Sequence, residues 1–211
     1  MAFLFKELNA SCTEFFWENN KTGILVPDAS LVEQQYQKAC LQPHPPPFPY
    51  WAKIWPSARA LSDFINSHSS YIEGKHVTEM GCGLGLPSLT ATRWATSVYA
   101  TDFLPEPLEF VKQSSSHQHL AHLTCGLFNW ETATEYPPTD VLLLSDVNYD
   151  PGQFPALLSL IEQYLQAHTT IILATPQRLL AKPFVDQLLP RCIQQEEYVI
   201  DLVLISVFVL N

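Results

Sequence analysis

Glu79-Met80-Gly81-Cys82-Gly83-Leu84-Gly85 decides the reading of this chain. An apolar β-like run, His76–Met80, leads into it and a helical pattern from Leu86 leads out. Glycine lacks a Cβ, so a strand-to-helix turn built on it lets a ligand approach bare main chain. The chain has only seven glycines, and three stand at alternate positions here, so the turn is a feature rather than an accident of composition. A dinucleotide fingerprint needs GxGxxG, with a helix N-terminus facing a pyrophosphate. Here the third glycine comes one position early and Leu86 stands where the fingerprint wants glycine. That spacing favours a nucleoside cofactor without phosphates, with Glu79 accepting, directly or through water, from the ammonium of a methionine moiety.

The next β-like run, Ser97–Thr101, ends on Asp102, about twenty residues past Gly81, the interval at which an acid reaches ribose hydroxyls. Alone, such an aspartate reads equally as a helix cap. Phe128-Asn129-Trp130 closes the third run, Leu123–Phe128, at the position that overlooks an adenine pocket; core packing is the other reading of Trp130.

Outward from the turn, β-like and helical runs alternate. Val141–Ser145 and Thr170–Ala174 complete the β-like set, and Leu86–Ala95, Glu106–His117, Phe154–Ala167 and Leu179–Leu189 are the helical candidates. The alternation predicts a doubly wound α/β domain with a mostly parallel seven-stranded sheet. Ile193–Ile200 and Leu202–Leu210 follow with no helix between them, which predicts an antiparallel C-terminal strand pair. Upstream, residues 1–48 read as an N-terminal appendage with a helix over Ala29–Cys40 and a proline-rich, extended lead-in. Residues 49–211 read as the cofactor-binding domain, with a further helical pattern through Ala58, Leu61 and Phe64.

Composition sets the limits. Net charge is −10, from 21 acidic and 11 basic residues, which argues against nucleic acid as a partner. An acidic surface fits a cationic partner, or simply serves solubility. The five cysteines are widely spaced with no CxxC, so neither a zinc site nor a disulfide framework is indicated, and a reducing, cytoplasmic location is the expectation. The N-terminal residues lack a leader pattern, and the most apolar stretch, Leu202–Leu210, is about half the length of a membrane helix. No membrane partner and a monomer are expected. His117, His119 and His122 do not converge on one helix face, and no metal is expected. Arg178, past the fifth β-like run, either touches substrate or caps a helix.

These residues resemble the class I, seven-strand methyltransferases. Two further segments are similar to their lysine methyltransferase-like branch, often labelled nicotinamide N-methyltransferase-like. One is Pro49-Tyr50-Trp51-Ala52-Lys53-Ile54-Trp55-Pro56-Ser57 with Ala60-Leu61; the other is Asp146-Val147-Asn148-Tyr149, matching a DxxY motif. The similarity runs from Pro49 to the C-terminus; Met80 departs from it, standing where an aliphatic residue is common. The resemblance implies S-adenosyl-L-methionine bound across Glu79, Gly81, Cys82, Gly83 and Gly85, with Asp102, Phe103, Asn129, Trp130 and Ser145, and Trp55 flanking it. It implies Asp146 and Tyr149 beside the transferred methyl, and a protein lysine as acceptor. A small amine or heteroaromatic nitrogen is the alternative acceptor, and a non-catalytic nucleoside-binding domain or an NAD-linked oxidoreductase the alternative class. The glycine spacing opposes NAD, and the Asp146/Tyr149 pair opposes a dead fold.

Overall fold

The computed structural model describes residues 8–18 and 20–211. The expectation about a leader falls on residues 1–7 and lies outside the described residues.

The chain begins with an antiparallel hairpin of β1 (Ala10–Trp17) and β2 (Asn20–Pro27). This hairpin is absent from the sequence reading, because most of β1 faces solvent and shows no apolar alternation. Helix α1 (Ala29–Cys40) follows on the expected residues, capped by Asp28, whose Oδ1 accepts from the amides of Ser30 and Leu31. Helix α2 (Pro56–Ser67) starts on proline, which costs a first turn no hydrogen bond.

The alternating part contains β3 (His76–Met80), α3 (Leu86–Ala91), β4 (Ser97–Asp102), α4 (Pro105–His117), β5 (Leu123–Leu127) and β6 (Val141–Ser145). It continues with α5 (Phe154–Gln166), β7 (Thr170–Pro176), α6 (Lys182–Leu188), β8 (Cys192–Ile200) and β9 (Val203–Leu210). Helix α3 stops four residues short of the expected end, where Thr92 Oγ1 donates to the Leu89 carbonyl and competes with the helix ladder. The expected helix over Leu179–Leu189 starts and ends as single 3₁₀ turns flanking α6.

The main sheet has seven strands in the order β5-β4-β3-β6-β7-β9-β8. The first five in that order run parallel, while β9 is antiparallel to both β7 and β8. The doubly wound sheet and its antiparallel end are therefore as expected. The sequence did not show that β9 inserts between β7 and β8.

Strand β6 illustrates why the sheet is central. All of Val141 to Leu144 are buried, and their alternation feeds two cores. Val141 and Leu143 join the cluster under α2, α3 and α4, with Leu61, Phe64, Leu89 and Val111. Leu142 and Leu144 join the opposite cluster, with Leu157, Leu160 and Ile161 of α5 and Phe184 of α6. The N-terminal segment shares the first core: Ile24 and Val32 belong to it. Gln118, just past α4, ties that segment down by giving its amide to the Gly23 carbonyl at 2.6 Å and accepting from the Gly23 amide at 3.2 Å.

Candidate functional site: a glycine-backed cleft at the sheet switch point

Strand order reverses between β3 and β6, whose helices leave in opposite directions, and a crevice opens at their carboxyl ends. The register pairs Met80 with Leu144, so the glycine turn after β3 and Ser145-Asp146 after β6 emerge side by side. A cleft of about 420 Å³ lies there, a size suited to a cofactor.

Gly81 and Gly85 need to be glycine for two reasons. Their φ values are +65° and +75°, where side chains are strained. A Cβ on Gly81 would stand 3.1 Å from Val147 and 3.6 Å from the Trp130 ring; one on Gly85 would stand 2.8 Å from Val111 Cγ2. Gly85→Ala is therefore expected to cost about 2–4 kcal/mol of stability, from left-handed strain plus overpacking. The shift of the urea midpoint reads it, and an unchanged midpoint would refute this account of the turn.

Asp102 braces the turn. Its Oδ2 accepts from the Gly83 amide at 3.0 Å and its Oδ1 from the Leu104 amide at 3.1 Å. Burial pushes its carboxyl up to about 6, against the pull of those amides. The Cys82 amide donates to the Thr101 carbonyl, locking the turn to β4.

Glu79 is the one expected residue that does not line the cleft. It is fully buried behind the turn, where Oε2 accepts from the Ser88 amide at 2.9 Å and the Ser88 hydroxyl at 2.6 Å. Its Oε1 has no partner among the described residues, and burial lifts the carboxyl to about 8. Such a group adds its full stability below about 4.5, its ordinary value, and loses it as pH rises toward 8. The melting temperature of the native protein should fall through that window, and Glu79→Gln should flatten the fall. Equal slopes in both proteins would show that Glu79 does not titrate there.

Gly81, Cys82, Gly83, Gly85, Asp102, Phe103, Asn129, Trp130, Ser145, Trp55, Asp146 and Tyr149 all line the cleft. Trp55 is anchored by its Nε1, which donates to the Tyr50 carbonyl at 2.7 Å. Asn129 Oδ1 accepts from the Glu131 amide, fixing the turn that carries Trp130. Trp130 Nε1 is buried without a partner among the described residues.

Asp146 carries the least expected feature. Its φ is +55°, a left-handed conformation that aspartate tolerates better than most residues. Its carboxylate is held by Arg178, with Nη1 to Oδ1 at 2.5 Å and Nη2 to Oδ2 at 3.2 Å. The short turn that follows, at Pro151–Gln153, is capped by Asp150, whose Oδ1 accepts from the Gly152 amide. The sequence left Arg178 open. What decides its role is that β6 and β7 pair Ser145 with Ala174, which brings the two following loops together. Tyr149 is half-exposed, its hydroxyl raised by burial first and by neighbouring groups next. Of the histidines, His122 donates from Nε2 to the Thr92 carbonyl, a packing role.

A family model described as lysine methyltransferase matches residues 51–204. The chain belongs to the lysine methyltransferase family. Among curated proteins, the human histone-arginine methyltransferase METTL23 is 33% identical over 115 residues, which is 51% of this chain and 60% of that one. The electron transfer flavoprotein beta subunit lysine methyltransferase of Danio rerio is 29% identical over 136 residues, 64% of this chain and 52% of that one. The chain thus spans only about half to three fifths of these relatives' lengths. Among solved structures, the N-methyltransferase NodS from Bradyrhizobium japonicum WM9 superposes with a TM-score of 0.57 at 12% identity, covering 74% of this chain and 97% of that one. That likeness is one of fold.

S-adenosylmethionine is the cofactor of this family's chemistry, and the cleft fits it. The glycine turn presents bare main chain that a Cβ at Gly81 would crowd. Trp130, which lines the cleft, leaves its buried Nε1 without a partner among the described residues. Asp102 is a carboxylate with lone pairs beyond the two that the amides take. Among the described residues no helix is long and apolar enough to cross a membrane.

Proposed function

We propose that this protein transfers a methyl group from S-adenosylmethionine to a lysine nitrogen of a protein substrate. Gly81, Cys82, Gly83 and Gly85 would hold the donor, with Asp102 to take its sugar, Phe103, Asn129 and Trp130 its base, and Ser145 and Trp55 flanking it. Glu79 acts from behind the turn, tying it to α3 through Ser88. Asp146 and Tyr149 hold the acceptor. The observation that carries this reading is the adjacency of the glycine turn and Asp146 across the β3–β6 switch point.

The bound donor supplies an electrophilic methyl on sulfur. This chain's part is to bring a neutral amine in line with it and to exclude alternatives. A lysine ammonium, with an ordinary pKa of about 10.4, must first lose its proton. Arg178 offsets the charge of the Asp146 carboxylate, so the pair favours an arriving ammonium less than a bare carboxylate would. Asp146 keeps lone pairs free on its outer side and accepts an N–H from the neutral amine, so the nitrogen lone pair points toward the methyl. Tyr149 sets the approach from the opposite side.

The same reading makes the protein a cytoplasmic monomer that engages neither nucleic acid nor membrane. Five free cysteines and a net charge of −10 support it. Incubating the protein with radiolabelled donor and a cell extract tests the function. Label should enter protein and appear as methyl-lysine after hydrolysis; label confined to small molecules overturns the assignment.

A further inference from the structure

At the outer end of the cleft, aromatic rings stand in an unbroken row. Ring centres of Tyr36 and Phe48 are 5.2 Å apart, Phe48 and Tyr50 4.7 Å, and Tyr50 and Tyr149 5.3 Å, with Trp55 branching 6.1 Å from Tyr50. Three of these large side chains are substantially exposed: Phe48 at 53%, Tyr50 at 47% and Tyr149 at 44%. Rings in mutual contact and open to solvent mark an interaction surface rather than core packing. One cation already sits on the row, since Lys53 Nζ lies 4.1 Å above the Trp55 ring. Aromatic faces attract ammonium and guanidinium groups, and the chain as a whole, with 21 acidic against 11 basic residues, draws cationic segments toward it.

We propose that this row is the track for a Lys/Arg-rich segment of the protein substrate flanking the methylated lysine. The inference rests on the lysine-methylation reading and adds the chemistry of the surrounding sequence. The row is continuous with the acceptor site through Tyr149, so a basic segment lying along it delivers one of its own amines to Asp146. It also explains why the N-terminal segment belongs to the site: α1 supplies Tyr36 and the proline-rich lead-in supplies Phe48.

The test is fluorescence anisotropy on the full chain, using a labelled twelve-residue peptide of alternating lysine and glycine and a glutamate–glycine counterpart. The lysine peptide should bind and weaken with added salt, and the glutamate peptide should not bind. Phe48→Leu with Tyr50→Leu keeps apolar area but removes the ring faces, and should weaken binding roughly tenfold. Phe48→Tyr with Tyr50→Phe should restore it. Phe16→Leu, on an exposed ring away from the row, should change nothing. Unchanged affinity in the leucine variant overturns the track, as does equal binding of the acidic peptide. Sedimentation showing row-dependent pairing of two copies also overturns it. Failure of this inference is separable from failure of the function. Label in protein with unchanged peptide affinity of the leucine variant removes the track alone, whereas label only in small molecules removes the lysine reading.

Discussion

Asp146→Ala is expected to lower turnover about a hundredfold while donor affinity stays within about twofold of the native value. The substitution removes the carboxylate that orients the acceptor and leaves Arg178, its 2.5 Å partner, as an unpaired cation at the acceptor position. An arriving neutral amine then meets guanidinium donors where it had a hydrogen-bond acceptor, and these draw its lone pair away from the methyl. Alanine also sits poorly at a φ of +55°, at a cost of about 1–2 kcal/mol, so Asp146→Asn is the companion variant. Asparagine tolerates that backbone and retains an oxygen acceptor, and should recover part of the lost turnover. The measurement is label transfer to the extract protein, beside calorimetry with the donor. Turnover within threefold of native in the alanine variant would remove Asp146 from the acceptor site.

Asp102→Ala is expected to weaken donor binding by about 2–3 kcal/mol, the scale of hydrogen bonds to a charged group. Part of that loss comes through the protein, because the amides of Gly83 and Leu104 lose their acceptor and the glycine turn loosens. A pH dependence accompanies it. In the proposed complex sugar hydroxyls would donate to the ionised carboxylate, and burial places the Asp102 value at about 6. Protons therefore compete with the donor below that point, and affinity should fall roughly tenfold between pH 7 and pH 5. Once the donor is bound, its hydroxyls favour the ionised form and the carboxyl's value should drop. Asp102→Asn has nothing to titrate there and should show a flat profile over the same interval. An equally steep profile in that variant would assign the dependence to another group.

Much of this was legible because the signals are local. The glycine turn and Asp102 twenty-odd residues on follow directly from strand-to-helix junctions, where chain order dictates neighbours, whereas the DxxY segment was marked by the family resemblance. The parallel core was readable from four consecutive buried residues in β6 and similar runs elsewhere. Element ends were less readable: α3 stops early because a threonine hydroxyl diverts a carbonyl. Glu79 shows a subtler limit. Its place before the first glycine marks it as a site residue, but its side chain turns away from the cleft to Ser88. Direction of a side chain at a strand end depends on the helix packed behind it.

Sequence alone determined the fold class and set the glycine turn and Asp102 at the ends of successive strands, since periodicity and backbone torsion are properties of short stretches. Tertiary structure alone decided three other things. It put β9 between β7 and β8, it closed Arg178 onto Asp146, and it set Tyr36, Phe48 and Tyr50 in a row that ends on Tyr149. Each joins residues far apart in the chain whose contact depends on sheet order and the seating of the N-terminal segment. No local pattern encodes that order, because it is chosen by which faces can be buried together.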